Sequence, residues 1–222
     1  MVLIAALTEG DVRAAAVEGA DAVLISGAKF KGESLARIVG SLAGVPWGVS
    51  LEQVSAEDLP LLKEMGCDFL VFDAARAPLK LLREPEMAKI VKVEPSVADG
   101  LARAIAQLPI DAVLIGAGGE FSLSVQRLMV CQHVINLVRK PALTLAPMAM
   151  SGEDLEELWE AGIAGVVVNL ERGVGEELPK LRQAIDGLPT SRRGRKERPE
   201  ALLPYVGEGE LTAPEEDEEE ED

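Results

Sequence analysis

The sequence predicts an α/β protein folded as a (β/α)8 barrel, and three observations carry that prediction. Eight short apolar runs alternate strictly with eight helical patterns over the first 190 residues. Eight is the number of βα units that closes a parallel sheet on itself. A related punctuation recurs before four of the runs: Glu18-Gly19-Ala20-Asp21, Met65-Gly66-Cys67-Asp68, Leu108-Pro109-Ile110-Asp111 and Ala161-Gly162-Ile163-Ala164. A glycine that ends a helix just before an apolar parallel strand is what short αβ loops require. The three aspartates lie 47 and 43 residues apart, about two βα units each. An open doubly wound sheet is the main alternative. The even count and the absence of a dinucleotide fingerprint favour the closed form, with lean loops because 190 residues is short for a barrel.

The elements follow in order. Val2–Leu7 is a buried strand, followed by Thr8-Glu9-Gly10-Asp11 and a helix to about Gly19. Asp21–Ser26 is the second strand, and Gly32–Leu42 a helix with Leu35, Ile38, Val39 and Leu42 on one face. Pro46–Glu52 is the third strand; Ser55 and Asp58 resemble a capping box opening the next helix. Asp68–Asp73 is the fourth strand, Pro78–Arg83 a short helix, and Ala88–Pro95 the fifth strand. Val97–Gln107 is helical; Asp111–Gly116 is the sixth strand and ends in the turn Gly116-Ala117-Gly118-Gly119. Ser122–Lys140 is a long apolar helix, and Ala142–Pro147 the seventh strand. Ser151 caps a helix to Ala161, Gly165–Leu170 is the eighth strand, and Gly175–Ile185 the last helix.

Composition bounds the function. Hydrophobic residues make up 48% and aromatics 3%, so the core is built of Ala, Val, Leu and Ile, as layered α/β proteins are. Cys67 and Cys131 lie far apart without metal-type spacing, which points to a reduced, cytoplasmic setting. No apolar run approaches membrane-spanning length. The net charge of −16 argues against nucleic acid as a partner. Residues 191–222 differ from the rest: Ser191–Arg198 is basic, Pro199–Pro214 rich in Pro, Gly and Glu, and Glu215–Asp222 purely acidic. Twelve acidic and five basic residues there give −7, leaving −9 for residues 1–190. Such a segment buries too little apolar surface to order itself, so the expectation is a barrel over 1–190 and a disordered tail over 191–222.

In a barrel the working face is the C-terminal ends of the strands. Side chains alternate across a strand, so period two sorts them into axis-facing and helix-facing sets. On the third strand Gly48, Ser50 and Glu52 share a face; on the fourth, Phe69, Val71 and Asp73; on the fifth, Ile90, Lys92 and Glu94. On the seventh, Ala142, Thr144 and Ala146 line up, and on the eighth Gly165, Val167 and Asn169. Thr8 and Ser26 end the first two strands. Uncompensated charge in such a place is costly, so polar groups gathered there mark a site. Lys92, Glu94 and Asp73 are the candidate catalytic groups, with Ser50, Thr144, Asn169, Gly118 and Gly119 binding substrate. Glu52, Asp73 and Glu94 form a candidate oxygen-ligand set for Mg or Mn. The lysine then stabilises an oxyanion, acts as a base or forms a Schiff base. The competing reading is an ion-pair network in which Lys92 only neutralises the acids. His133, on a helix among Val130, Val134 and Leu137, and Cys67 read as structural.

The stretches EGADAVLI (Glu18–Ile25), MGCDFLVF (Met65–Phe72) and AGIAGVVV (Ala161–Val168) resemble the broad aldolase-type and phosphate-binding group of TIM-type barrels. The resemblance implies the fold. It does not extend to the glycine turns with which phosphate-binding members follow strands seven and eight, where this chain reads Ala146-Pro147-Met148 and Asn169-Leu170-Glu171. Acids ending strands three to five look like the metal-ligand placement of the enolase group, whose capping domain this chain lacks. The expected function is a small-molecule lyase or isomerase acting on a small-molecule ligand. The alternative is a non-catalytic barrel serving as scaffold or binding module through its charged tail. A homo-oligomer is compatible with either.

Overall fold

A computed structural model of the chain describes residues 1–8, 17–27, 32–42, 44–51, 57–117, 123–170 and 177–190, with residues 8, 32–34 and 51 described by their backbone alone. The chain divides into Met1–Arg192 and Arg193–Asp222. The expected tail, Glu52, Gly118 and Gly119 lie outside the described residues.

Eight strands form one closed parallel sheet: β1 (Val2–Thr8), β2 (Ala22–Ser26), β3 (Trp47–Leu51), β4 (Phe69–Asp73), β5 (Ala88–Val93), β6 (Ala112–Ile115), β7 (Ala142–Ala146) and β8 (Ile163–Asn169). Each pairs with its sequence neighbours, and β8 pairs back onto β1. The helices among the described residues are α1 (Gly32–Ser41), α2 (Asp58–Glu64), α3 (Asp99–Ala106), α4 (Val125–Val138), α5 (Gly152–Glu160) and α6 (Leu178–Asp186). The short helix expected after β4 is a 3-10 turn, Leu79–Arg83.

Both faces of the sheet are buried, which is why the strands read as continuous apolar runs. Alternate strand residues (among them Ile4, Leu24, Phe69, Val71, Ile90, Leu114 and Val167) form a cluster inside the barrel. The others, such as Leu3, Val23, Leu70, Val91 and Val166, join Leu35, Leu59, Leu155 and Leu181 of the helices in a larger outer core. Glycine makes room for the inner cluster at two points. A Cβ on Gly48 would lie 2.3 Å from the Phe69 carbonyl oxygen, and one on Gly165 would lie 2.8 Å from that of Val2.

The recurrent punctuation is a stitch at the N-terminal pole. Asp21, Asp68 and Asp111 each stand just before an even-numbered strand. Their carboxylates accept the backbone N–H of Leu3, Trp47 and Lys89 on the preceding odd strand, at 2.8, 2.9 and 2.7 Å. Each aspartate's own N–H donates to the carbonyl of that same residue, at 2.9 Å in all three cases. Gly66 and Gly162 take positive φ, +78° and +103°, just past the ends of α2 and α5, and Gly19 takes +96° shortly before β2. At the fourth position Ala164 has no carboxylate to offer. There the register slips: Ala142 pairs with Ile163 but Leu143 with Gly165, leaving Ala164 as an extra residue.

The slip bears on one expectation. β7 turns Leu143 and Leu145 to the axis and Thr144 to the helices, the reverse of the expected facing. The run Ala142–Ala146 holds a single hydroxyl, and alternation sorts it from the leucines without saying which set faces the axis. Thr144 is fully buried, its Oγ1 accepting from Arg127 Nη2 at 2.7 Å. It is therefore no part of a substrate pocket.

Candidate functional site

The barrel interior is apolar until the C-terminal rim, where the axis-facing positions become polar. Ser26 and Ser50 pair in register and are half-buried. Asp73 pairs in register with Lys92. Asn169 is exposed at the end of β8, which lies across the ring from β4.

Lys92 Nζ lies 3.6 Å from Glu94 Oε1, with the two side chains 46% and 60% exposed. The pair is thus open to solvent above an apolar floor. Glu94 follows β5, and its carboxylate leans over Gly116 at the end of β6. A Cβ on Gly116 would stand 3.2 Å from Glu94 Oε2. Asp73 is held differently: its Oδ1 accepts the Ala75 N–H at 2.9 Å, and its Oδ2 lies 4.0 Å from Arg76 Nε. The register brings Asp73 beside Lys92, while the ion pair of Lys92 runs to Glu94. Among the described residues no three His, Cys, Asp or Glu side chains are placed to hold one metal ion.

Arg127 secures the β6 end from behind. It is 8% exposed, and its guanidinium donates to the carbonyls of Gly116 and Ile115, the latter at 3.1 Å, and to Thr144. A buried cation that grips two strand-end carbonyls and a neighbouring strand's hydroxyl fixes where the Gly116 turn begins.

No known family model matches the sequence, and no curated protein resembles it significantly. In structure the chain is similar to tryptophan synthase alpha-subunits of the hyperthermophile Pyrococcus furiosus. Two variant subunits superpose with a TM-score of 0.67 at 16% and 15% identity, over 84% of this chain and 98% of theirs. A chain of the tryptophan synthase complex from the same organism gives 0.66 at 15% over the same shares.

The chain has the TIM-barrel fold. At such identities the likeness concerns the fold alone, and the site stands on its own residues. Of the groups expected at the TIM-barrel mouth, the structure places Ser50, Asp73, Lys92, Glu94 and Asn169 at the rim. It removes Thr144, and it leaves Glu52, Gly118 and Gly119 undescribed. Two contributors escaped the sequence reading. Gly116 gives the Glu94 carboxylate its seat, a packing role that spacing does not reveal. Arg127 was detectable as the one Arg, Lys, Asp or Glu between Val125 and Val138. The cysteines and the histidine stand apart from the mouth. Burial pushes the Cys67 thiol up to about 12 and raises that of Cys131. His133 Nε2 lies 3.0 Å from Asp99 Oδ1 on the exposed outer helices.

Proposed function

We propose that this barrel is a small-molecule enzyme of the lyase or isomerase kind, working through proton transfer beside a carbonyl at the C-terminal mouth. The observation that carries the reading is the solvent-open Lys92–Glu94 pair, 3.6 Å apart, with Asp73 in register beside it over an apolar floor. Carboxylates take a proton from carbon only when the developing oxyanion is stabilised, and an ammonium held close by supplies that stabilisation. Lys92 is the electrophilic partner, Glu94 the base, and Asp73 the second acid–base group. Ser50 and Asn169 offer hydrogen bonds from other sectors of the rim. The likeness to synthase subunits accords with catalysis on this fold without naming a substrate.

Hydrogen–deuterium exchange at carbon, followed by NMR over a panel of small keto acids and aldehydes, tests the reading. The wild type is expected to exchange an α-proton of at least one compound. Lys92→Met and Glu94→Gln should each slow that exchange by roughly 100-fold or more, the scale of a lost acid–base group. Both side chains are about half exposed, so neither substitution should cost more than about 1 kcal/mol of stability. A panel without exchange, or variants exchanging at the wild-type rate, overturns the proposal.

A further inference from the structure

On the described helices Arg127 is the only buried Arg, Lys, Asp or Glu, and the chemistry proposed at the mouth does not use it. It lies in the first turn of α4, where its backbone N–H donates to the N-cap hydroxyl of Ser124 at 3.1 Å. Its guanidinium reaches back to the end of β6, donating to the carbonyls of Ile115 and Gly116, and across to Thr144 on β7. One residue thus ties the start of α4 to two strands. Gly116 is held from its other side as well. Its N–H donates at 2.8 Å to the carbonyl of Val93, the residue before Glu94. Glycine is the residue most free to turn, and here one bond to β5 and one to Arg127 remove that freedom. The fixed glycine faces the Glu94 carboxylate: an atom in place of its missing Cβ would stand 3.2 Å from Oε2, 3.4 Å from Oε1 and 3.5 Å from Cδ.

We propose that Arg127 is a positioning residue for Glu94, acting through Gly116; the inference rests on the reading of Glu94 as the base. The Glu94 side chain is 60% exposed, and its ion pair with Lys92 spans 3.6 Å. A carboxylate so open to water has several staggered rotamers within reach. The Gly116 backbone is a wall that limits them on one side, and Arg127 holds the wall in place. Arg127 itself touches no ligand. Thr144, which accepts from it, faces the helices, so the guanidinium works on the mouth from behind the sheet. The fork matters more than the charge. A guanidinium sets several donors in one plane and can serve three acceptors on two strands, whereas an ammonium is a compact point donor. The effect on rate is geometric: a base misplaced by about 1 Å can cost about 100-fold.

Arg127→Lys keeps the charge and gives up the fork, and the full chain carrying it tests the proposal in two ways. By NMR, the wild type should show a nuclear Overhauser contact between Gly116 Hα and the Glu94 Hγ protons. The variant should lose that contact while the amides of the aspartate-stitched pole keep their shifts. In the carbon-exchange assay the variant should lower kcat roughly tenfold or more with KM unchanged. In a Glu94→Gln background the same substitution should lower the residual exchange by less than about twofold, because the group it positions is gone. A general loss of packing would lower both backgrounds alike. If Arg127→Lys does not fold, Thr144→Val removes one of the three anchors with the cation in place, and should weaken the contact and lower kcat roughly threefold. A wild type without the contact, a folded variant that retains it, or a fall in rate that persists in the Glu94→Gln background overturns the proposal. A wild type that shows the contact but exchanges no compound defeats the reading of the mouth as catalytic, and the loss or survival of the contact in the variant still decides whether Arg127 places Glu94.

Discussion

Gly116 lies where a Cβ would stand 3.2 Å from one oxygen of Glu94 and 3.4 Å from the other. The atoms in the way are the end of a flexible side chain, so a methyl group there displaces the carboxylate rather than the backbone. Gly116→Ala should therefore keep the melting temperature within a few degrees while lowering carbon-acid exchange about tenfold or more, as reorientation of a general base does. Gly48 is the contrasting case. The atom facing its absent Cβ is the backbone oxygen of Phe69, at 2.3 Å, and backbone cannot swing aside. Gly48→Ala should destabilise by about 2–3 kcal/mol or more in a denaturant melt, at the upper end of overpacking costs. Removing the Phe69 ring in a Gly48→Ala, Phe69→Ala double variant should not restore stability, because the carbonyl clash persists.

At the scale of an element, α5 shows how a short helix is held and when it loosens. Ser151 accepts the Asp154 N–H at 3.1 Å, and Asp154 Oδ2 accepts the Ser151 N–H at 2.9 Å and its hydroxyl at 2.8 Å. The bond from the Ser151 backbone, followed by that from its hydroxyl, lowers the Asp154 pKa. A carboxylate whose folded pKa lies below its unfolded value contributes stability above the unfolded value, and that contribution is lost as pH falls through the folded one. Ser151→Ala should cost about 1 kcal/mol near neutral pH, and the difference from wild type should shrink in acid melts below about pH 4. α4 is capped in the same manner, Ser124 Oγ accepting the Arg127 N–H at 3.1 Å, and its Arg127 side chain also ties it to the sheet. Arg127→Leu takes the guanidinium away from the Ile115 and Gly116 carbonyls and from the Thr144 hydroxyl, and should cost roughly 3–5 kcal/mol in urea unfolding.

For the whole molecule, the barrel was legible because most strands are short apolar runs and a related turn signal precedes four of the eight. The aspartates that marked the repeat prove to be its stitches, which a period could locate but not explain. Ser50, Asp73, Lys92 and Asn169 were legible because polar residues at strand ends stand out against small and apolar neighbours. Thr144 was not, because alternation does not say which face of Ala142–Ala146 meets the axis and its hydroxyl is paired with Arg127 from another element. Gly116 was not, because its use depends on a carboxylate more than twenty residues away. The proposed chemistry rests on where a ligand sits, and backbone amide shifts locate that directly. Titrating the full chain with a compound that shows exchange should move the amides of Asp73, Lys92, Glu94 and Gly116 most, with smaller changes at Ser50 and Asn169. Shifts concentrated at the aspartate-stitched pole or on the outer helices, with the rim amides unmoved, would contradict the account.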